Sequence, residues 1–425
     1  MPKRSEQQFR TAGLSGFLGL QRSTVGMLAM AVLVGMGERM AERFLPIYLM
    51  ALGGGALAIG LLQAMDNLLS ALYSLPGGYL ADRIGGKRSL LVFNLVAMTG
   101  YLLVLVVPAW QAVLVGAVLF ISWSAISLPA TMSLIHRVLP KHKRTMGVSM
   151  HSLVRRIPMA LGPVVGGLFI GIWGERDGVR LAFAAALALA ALALVLQQRL
   201  IEDDRPKPRA SDGNPDANPN PAPATGPREL YRLMDPALKG LLVSDILIRF
   251  CEQIPYAFVV VWCMKTIAEP VSAMQFGLLT TVEMATAVLV YIPVAYLADR
   301  GTKKPFVLIT FGFFTLFPLA LLYSRSLPWL TAAFVLRGLK EFGEPTRKAL
   351  ILDLAPEQCK AAMFGLYYLI RDVFVSAAAM GGAFLWQVSP EANFLTAFGF
   401  GLLGTLGFAA FGRDLPTVTA GAQSP

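Results

Sequence analysis

Charge is scarce in this sequence. Only 15% of its 425 residues are Asp, Glu, Lys or Arg, where a soluble chain carries about a quarter, and the mean hydropathy is +0.59. A water-soluble globular protein of this length is excluded. Cysteine is scarcer still: Cys251, Cys263 and Cys359 are the whole complement. Two of them share one apolar run and none has metal-ligand spacing, so neither a disulfide framework nor a metal cluster is expected. Of the three histidines, His136 and His142 flank a basic stretch with Lys141, Lys143 and Arg144, a solvated loop in character, and His151 stands alone. No phosphate-binding loop, His-Glu-x-x-His or serine-elbow pattern occurs. An ATP motor is therefore excluded, no cofactor is called for, and the chain reads as a non-enzyme.

What the sequence has in abundance is long apolar runs. Twelve of them lie near 24–50, 55–81, 89–108, 111–134, 146–173, 179–198, 239–264, 272–298, 305–324, 328–352, 362–386 and 393–412. At about 1.5 Å per residue each is long enough to cross a hydrocarbon layer of roughly 30 Å. Lipid offers the backbone no hydrogen-bond partner, and the runs lack period-two alternation, so they predict helices and not barrel strands. The expected fold is an all-α integral membrane protein with twelve transmembrane helices. The first run starts behind Lys3, Arg4, Arg10 and Arg22 and continues too far for a signal-peptide core, so it is expected to be an inserted first span.

The net charge of +11 reports topology. With the N-terminus inside, and with Arg180 and Lys239 at the edges of their runs counted with the adjoining loops, 23 of the 37 Lys and Arg residues fall in loops and tails on that side and ten within the runs. Only Arg176, Arg180, Lys265 and Arg325 fall outside. That is the positive-inside bias, and it predicts both termini in the cytoplasm and a cell-membrane location, the inner membrane in a bacterium. Nucleic acid is not an expected partner; the lipid bilayer is.

Residues 199–238 interrupt the apolar pattern with Arg-Pro-Lys-Pro-Arg at 205–209 and a proline-rich polar stretch at 214–223. They read as a flexible cytoplasmic linker between two domains, 1–198 and 239–425. The two sides repeat one another. Glu38, Phe44 and Met50 recur as Glu252, Phe258 and Met264, at an offset of 214. Asp66, Pro76 and Tyr79 to Arg83 recur as Glu283, Pro293 and Tyr296 to Arg300, at 217. Pro129 and Arg155 recur as Pro345 and Arg371, at 216. The halves are parallel copies of one six-helix unit.

The loop after the second run, Gly78 to Lys87 with Asp82, Arg83 and Gly85, resembles the signature loop of the major facilitator superfamily. A second copy with Asp299 and Arg300 follows the eighth run. The resemblance covers the whole chain. It implies two pseudo-symmetric six-helix bundles, alternating access, and a cavity lined by spans 1, 4, 7 and 10. It also implies a gating role for Gly78, Asp82, Arg83, Gly85, Lys87, Asp299 and Arg300. The family's basic residue at position 86 is replaced by Gly86. In the fifth span Gly162, Pro163, Gly166 and Gly167 resemble the core of an antiporter motif, although they also suit a small-residue packing face.

Ionisable side chains inside spans are costly and mark a pathway or a pair. Candidate proton-coupling carboxylates are Glu38, Asp66, Glu252 and Glu283, with Asp66 and Glu283 the least paired by local spacing. Candidate substrate-cavity residues are Arg39, Trp123, Asp245, Arg249, Arg337, Glu341 and Arg371. Asp245, Arg249 and Glu252 share one helix face, and Asp245–Arg249 and Arg337–Glu341 are candidate structural ladders. The arginines suit an anionic or zwitterionic solute. The chain reads as a monomeric secondary transporter of a small organic solute coupled to protons, the fifth-span motif pointing to export by antiport. Import of an anionic metabolite by symport, and a non-transporting assembly or sensor role, are the alternatives.

Overall fold

The computed structural model describes residues 22–84, 86–121, 154–201, 227–298, 302–356 and 359–413. Those residues form helices and connecting turns, with no strand among them. The all-α membrane architecture expected from the apolar runs is what the chain adopts.

In chain order the helices are α1 (Arg22–Glu42), α2 (Leu45–Ala51), α3 (Ala56–Ile84) and α4 (Gly86–Val106). Then come α5 (Trp110–Ile121), α6 (Arg156–Leu200), α7 (Pro227–Leu233) and α8 (Pro236–Tyr256). The second half continues with α9 (Val259–Thr266), α10 (Ala273–Ala298), α11 (Lys304–Tyr323) and α12 (Leu327–Leu339). It closes with α13 (Glu344–Asp353), α14 (Lys360–Val388) and α15 (Pro390–Phe411). Each of the twelve expected spans is helical over its described part, but several are broken. Six described helices are long and apolar enough to cross a membrane, or seven if the bent pair α8–α9 is one span. The shortfall from twelve has identifiable causes. The 45-residue α6 holds two spans joined at Gly174, whose φ of 79° and ψ of 174° only glycine adopts readily. The tenth span is split into α12 and α13, and the fourth is described only as far as Ile121.

The breaks follow the internal repeat. Phe44 ends the turn between α1 and α2, and its mate Phe258 stands before α9, where α8 and α9 meet at 42°. Both rings are fully buried. Pro390 opens α15 at the position equivalent, 216 residues on, to the bend at Gly174. Helix α7 and the start of α8 occupy the end of the segment read as a linker. Leu230 and Met234 bury themselves in the core of the second half beside Leu238, Leu350 and Tyr367.

The chain divides into two compact units. The first takes residues 1–58, 68–212 and 272–281, and the second 59–67, 213–271 and 282–425. In the first unit Tyr101 stacks on Phe120 at 5.5 Å, and Phe183 packs on both. Glycines let its helices close tightly: a Cβ on Gly166 would stand 2.0 Å from the Met40 carbonyl oxygen. In the second unit an apolar core runs from Leu230 to Phe408 across α7, α8, α11, α13, α14 and α15.

Candidate functional site

Ten ionisable side chains of the second unit form one connected set, with the half-exposed Lys348 at its edge, 3.5 Å from Glu344. Asp245, Arg249 and Glu252 come from α8, Glu283 from α10 and Arg337 from α12. Lys340 stands in the break, Glu344 and Arg347 lie on α13, and Arg371 and Asp372 on α14. Five are acidic and five basic, so the set compensates its own charge, as burial in a membrane protein requires.

The break between α12 and α13 makes the set possible. Pro345 has no N–H and its ring would clash with the carbonyl one turn back, so the helix cannot run through. The chain turns at 340–343, and the Gly343 N–H donates to Thr310 Oγ1 at 2.5 Å. That turn rotates α13 so that Arg347 points inward, where it is the largest fully buried side chain among the described residues.

Arg347 is the hub. Its guanidinium donates to Asp245 and, bidentately, to Glu344 at 2.7 and 2.9 Å. Tyr367 donates its hydroxyl to the same Asp245 oxygen at 3.1 Å. Both Asp245 and Arg347 side chains are only 1% exposed. A second, more accessible group lies beside this clamp. Glu252 accepts from Arg249 Nη1 and from Lys340 Nζ, each at 2.6 Å, with side-chain exposures of 12%, 17% and 10%. Arg249 also reaches Glu344 at 3.3 Å. Both cations stand over one ring, Phe314, at 5.2 and 5.4 Å. Arg371 donates to Asp372 at 2.7 Å, lies over Tyr368 at 4.1 Å and stands 3.8 Å from Asp245.

The third group corrects two expectations. Glu283 is not the least paired acid: Arg337 Nε lies 3.3 Å from it and Lys340 Nζ 4.0 Å. Arg337 reaches Glu283 because Gly338 lets α12 approach the α10 backbone, where a Cβ would meet the Glu283 carbonyl oxygen at 2.5 Å. The rings of Tyr256, Phe317 and Phe334 surround its guanidinium at 5.2–5.7 Å. The Arg337–Glu341 ladder presumed an unbroken helix, and α12 ends at Leu339. The Asp245–Arg249 ladder survives at 3.8 Å, secondary to the Arg347 contact.

Of the sequence candidates, Asp245, Arg249, Glu252, Glu283, Arg337 and Arg371 are brought together. Glu341 lies in the turn at 340–343, half-buried, as Glu38 and Asp66 are in α1 and α3. Arg39 pairs with Glu42 at 2.6 Å. Trp123, Gly85, Asp299, Arg300 and all three histidines fall outside the described residues, as do the side chains of Asp82 and Arg83; Gly78 is helical in α3. Lys87 donates to the Gln198 and Ile201 carbonyls at the C-terminal end of α6, a favourable place for a cation. Gly162 and Gly166 lie against the α1 backbone, while Gly167 abuts Ala273 and Pro163 packs on Gly277. Their small size is accounted for by packing.

Sequence reasoning missed Arg347, Lys340 and Tyr367. It also did not foresee how lopsided the set is. At the repeat offsets Asp245, Arg249, Arg337, Lys340, Glu344 and Arg347 correspond to Ala31, Gly35, Ile121, Ser124, Leu128 and Thr131. Only Glu252, Glu283, Arg371 and Asp372 have ionisable mates, the mate of Asp372 being the oppositely charged Arg156. Gln253, the mate of Arg39, instead accepts from Gln63 and Asn67 within the second unit, at 3.3 and 3.2 Å.

Comparison with known proteins fits this architecture. The model of the Major Facilitator Superfamily matches residues 27–268 and 241–424. An uncharacterized MFS-type transporter of Methanocaldococcus jannaschii is 23% identical over 382 residues, 85% of this chain and 87% of that protein. The minor myo-inositol transporter IolF of Bacillus subtilis is 26% identical over 327 residues, 74% and 72% of the two chains. The quinolone resistance protein NorA of Staphylococcus aureus is 26% identical over 181 residues, 43% and 45%. Among solved structures, a POT family transporter superposes with a TM-score of 0.75 at 14% identity, covering 95% of this chain and 99% of that one. The nucleoside transporter NupG gives 0.75 at 13%, covering 92% and 100%. With its helical halves, its buried charge and a family match from end to end, the chain belongs to the Major Facilitator Superfamily and is a multi-pass membrane transporter.

Proposed function

We propose that this chain moves a small anionic or zwitterionic organic solute together with protons, with Glu252 as the proton-carrying carboxylate. One observation carries the reading: Glu252 accepts from both Arg249 and Lys340, and all three side chains keep some exposure. A proton on Glu252 removes the charge that holds both cations, and an anionic group of the solute takes its place. Proton and anion then bind cooperatively, which is the condition for moving in the same direction. A cationic solute would compete with the proton instead and give exchange, but the two cations that meet at Glu252, Arg249 and Lys340, favour an anion at that point. Arg249 and Arg371 are the anchors for a carboxylate or phosphate, by their paired donors. Glu283 and Asp245 hold the set together. The protein works by alternating access as a monomer, with 1–198 and 239–425 as its two bundles, 199–238 as the link and both termini cytoplasmic.

Export by proton exchange is the second reading. It is supported by the glycines of the fifth span and by the similarity to NorA over less than half of the chain. A purely structural or sensing role sits poorly with partly exposed ion pairs inside the spans.

The test is transport in proteoliposomes holding a pH-sensitive dye, with a panel of organic anions, zwitterions and cations under imposed pH gradients. An inward proton gradient is expected to drive anion uptake. Glu252→Gln is expected to keep solute exchange while losing net proton-driven accumulation. Uptake driven by an outward proton gradient makes the protein an exchanger. Solute movement without protons in wild type and variant alike ends the proton-coupled reading.

A further inference from the structure

The second unit holds a cavity of about 510 Å³, away from the ion-pair set, lined by Trp262, Thr266, Tyr323, Arg325, Glu391 and Leu395 among others. It sits where the ends of α9, α11 and α15 meet. The last turn of α9 is a π-helical widening over Trp262–Thr266, a distortion that recurs at functional positions. The indole of Trp262 is fixed as the floor by its N–H, which donates to the Leu321 carbonyl at 3.1 Å. Edge-on packing against Phe394 at 5.2 Å holds it further.

Two opposite charges line this space, Arg325 and Glu391, and neither forms an ion pair with the other or with any described residue. The charge distribution along the chain places this end on the non-cytoplasmic side. Tyr323 and Trp329, each 69% exposed, mark the level of the membrane interface, where such rings collect. From the rim, Leu395, Leu402 and Leu406 run down one face of α15, all exposed. Eleven residues of helix span about 16 Å, comparable to the length of an acyl chain.

We propose that this cavity binds the headgroup of an amine-bearing zwitterionic phospholipid of the non-cytoplasmic leaflet. The phosphate lies against Arg325, the primary ammonium against Glu391, and an acyl chain along Leu395, Leu402 and Leu406. A point phosphate charge suits one guanidinium, and a primary ammonium has N–H groups to give a carboxylate. A quaternary ammonium has none, and a glycerol headgroup has no cation at all. The inference stands apart from the solute reading, since it uses none of the ten residues of the ion-pair set.

The experiment is native mass spectrometry of the full-length protein released from nanodiscs of defined lipid. Phosphatidylethanolamine, phosphatidylcholine and phosphatidylglycerol compete in equal amounts. Wild type is expected to retain phosphatidylethanolamine about fivefold over either competitor, the effect of one partly exposed ion pair. Glu391→Gln is expected to abolish that preference, and Arg325→Ala to reduce retention of all three lipids. Both side chains are exposed, so folding should be undisturbed, with gel-filtration profiles as the check. The wild-type comparison needs no variant at all. Equal retention of the three lipids by wild type overturns the proposal, as does a preference unchanged in both variants. Displacement of phosphatidylethanolamine by a free zwitterionic amino acid would make the cavity a solute site instead.

Discussion

Removing Arg347 leaves Asp245 and Glu344 buried without their shared counter-ion. Breaking such a pair costs about 3–5 kcal/mol, far more than the pair contributes over an apolar replacement. Arg347→Met is therefore expected to lower the melting temperature in detergent steeply, while the double variant with Asp245→Asn recovers much of the loss. Glu252→Gln should cost less, because Arg249 keeps Glu344 and Lys340 stays near Glu283. Both comparisons are read by thermal unfolding of the purified protein. At this scale legibility in the sequence depended on helical continuity. Asp245, Arg249 and Glu252 could be found because regular spacing puts them on one face of α8. Arg347 and Lys340 are not legible in this way, because unbroken helical spacing through the tenth span carries across Pro345 a face that the chain does not keep. The proline was visible; the rotation it imposes on α13 comes from the seat of Gly343 on Phe306 and Thr310, which no local pattern encodes.

At the scale of elements the repeat was readable, and it reached into geometry. Phe44 and Phe258 share an offset with Glu38 and Glu252 and also mark the broken first span of each half. Among the described residues hydropathy marks the spanning helices but neither α7, which lies in the segment read as a linker, nor the interruptions, because a bent or split helix keeps the composition of a straight one. The glycines of the fifth span suit a motif or a packing face, and close approach to neighbouring backbone gives them a packing role. Gly166→Ala should push α6 off the Met40 backbone and cost about 1–3 kcal/mol. Gly171→Ala in the same helix, where a new Cβ meets nothing within 4 Å, should stay within about 0.5 kcal/mol of wild type. Melting curves of the two variants side by side are the check. If both fall equally, helix flexibility and not close approach is what the glycines supply.

For the molecule as a whole, the lopsided charge bears on how the chain enters a bilayer. A charged residue at the centre of a lone inserted helix costs about 2.5–3.5 kcal/mol, and α8 carries Asp245, Arg249 and Glu252 together. Its partners Lys340, Glu344 and Arg347 are not synthesised until some 90 residues later. In the first half Ala31 and Gly35 stand where Asp245 and Arg249 do, and the first span carries two charges of each sign, Glu38, Arg39, Glu42 and Arg43, with Arg39 paired to Glu42 inside α1. Its charge can thus be compensated within one span, whereas α8, with two carboxylates to one guanidinium, is expected to wait at the insertion machinery for α12 and α13. A chain cut after Tyr323 should leave α8 accessible to glycosylation or protease in a translation–insertion assay, and extending it to Asp353 should protect it. The ion pairs of this set would then also act as the timing device of biogenesis, committing the second half to the membrane as a single block.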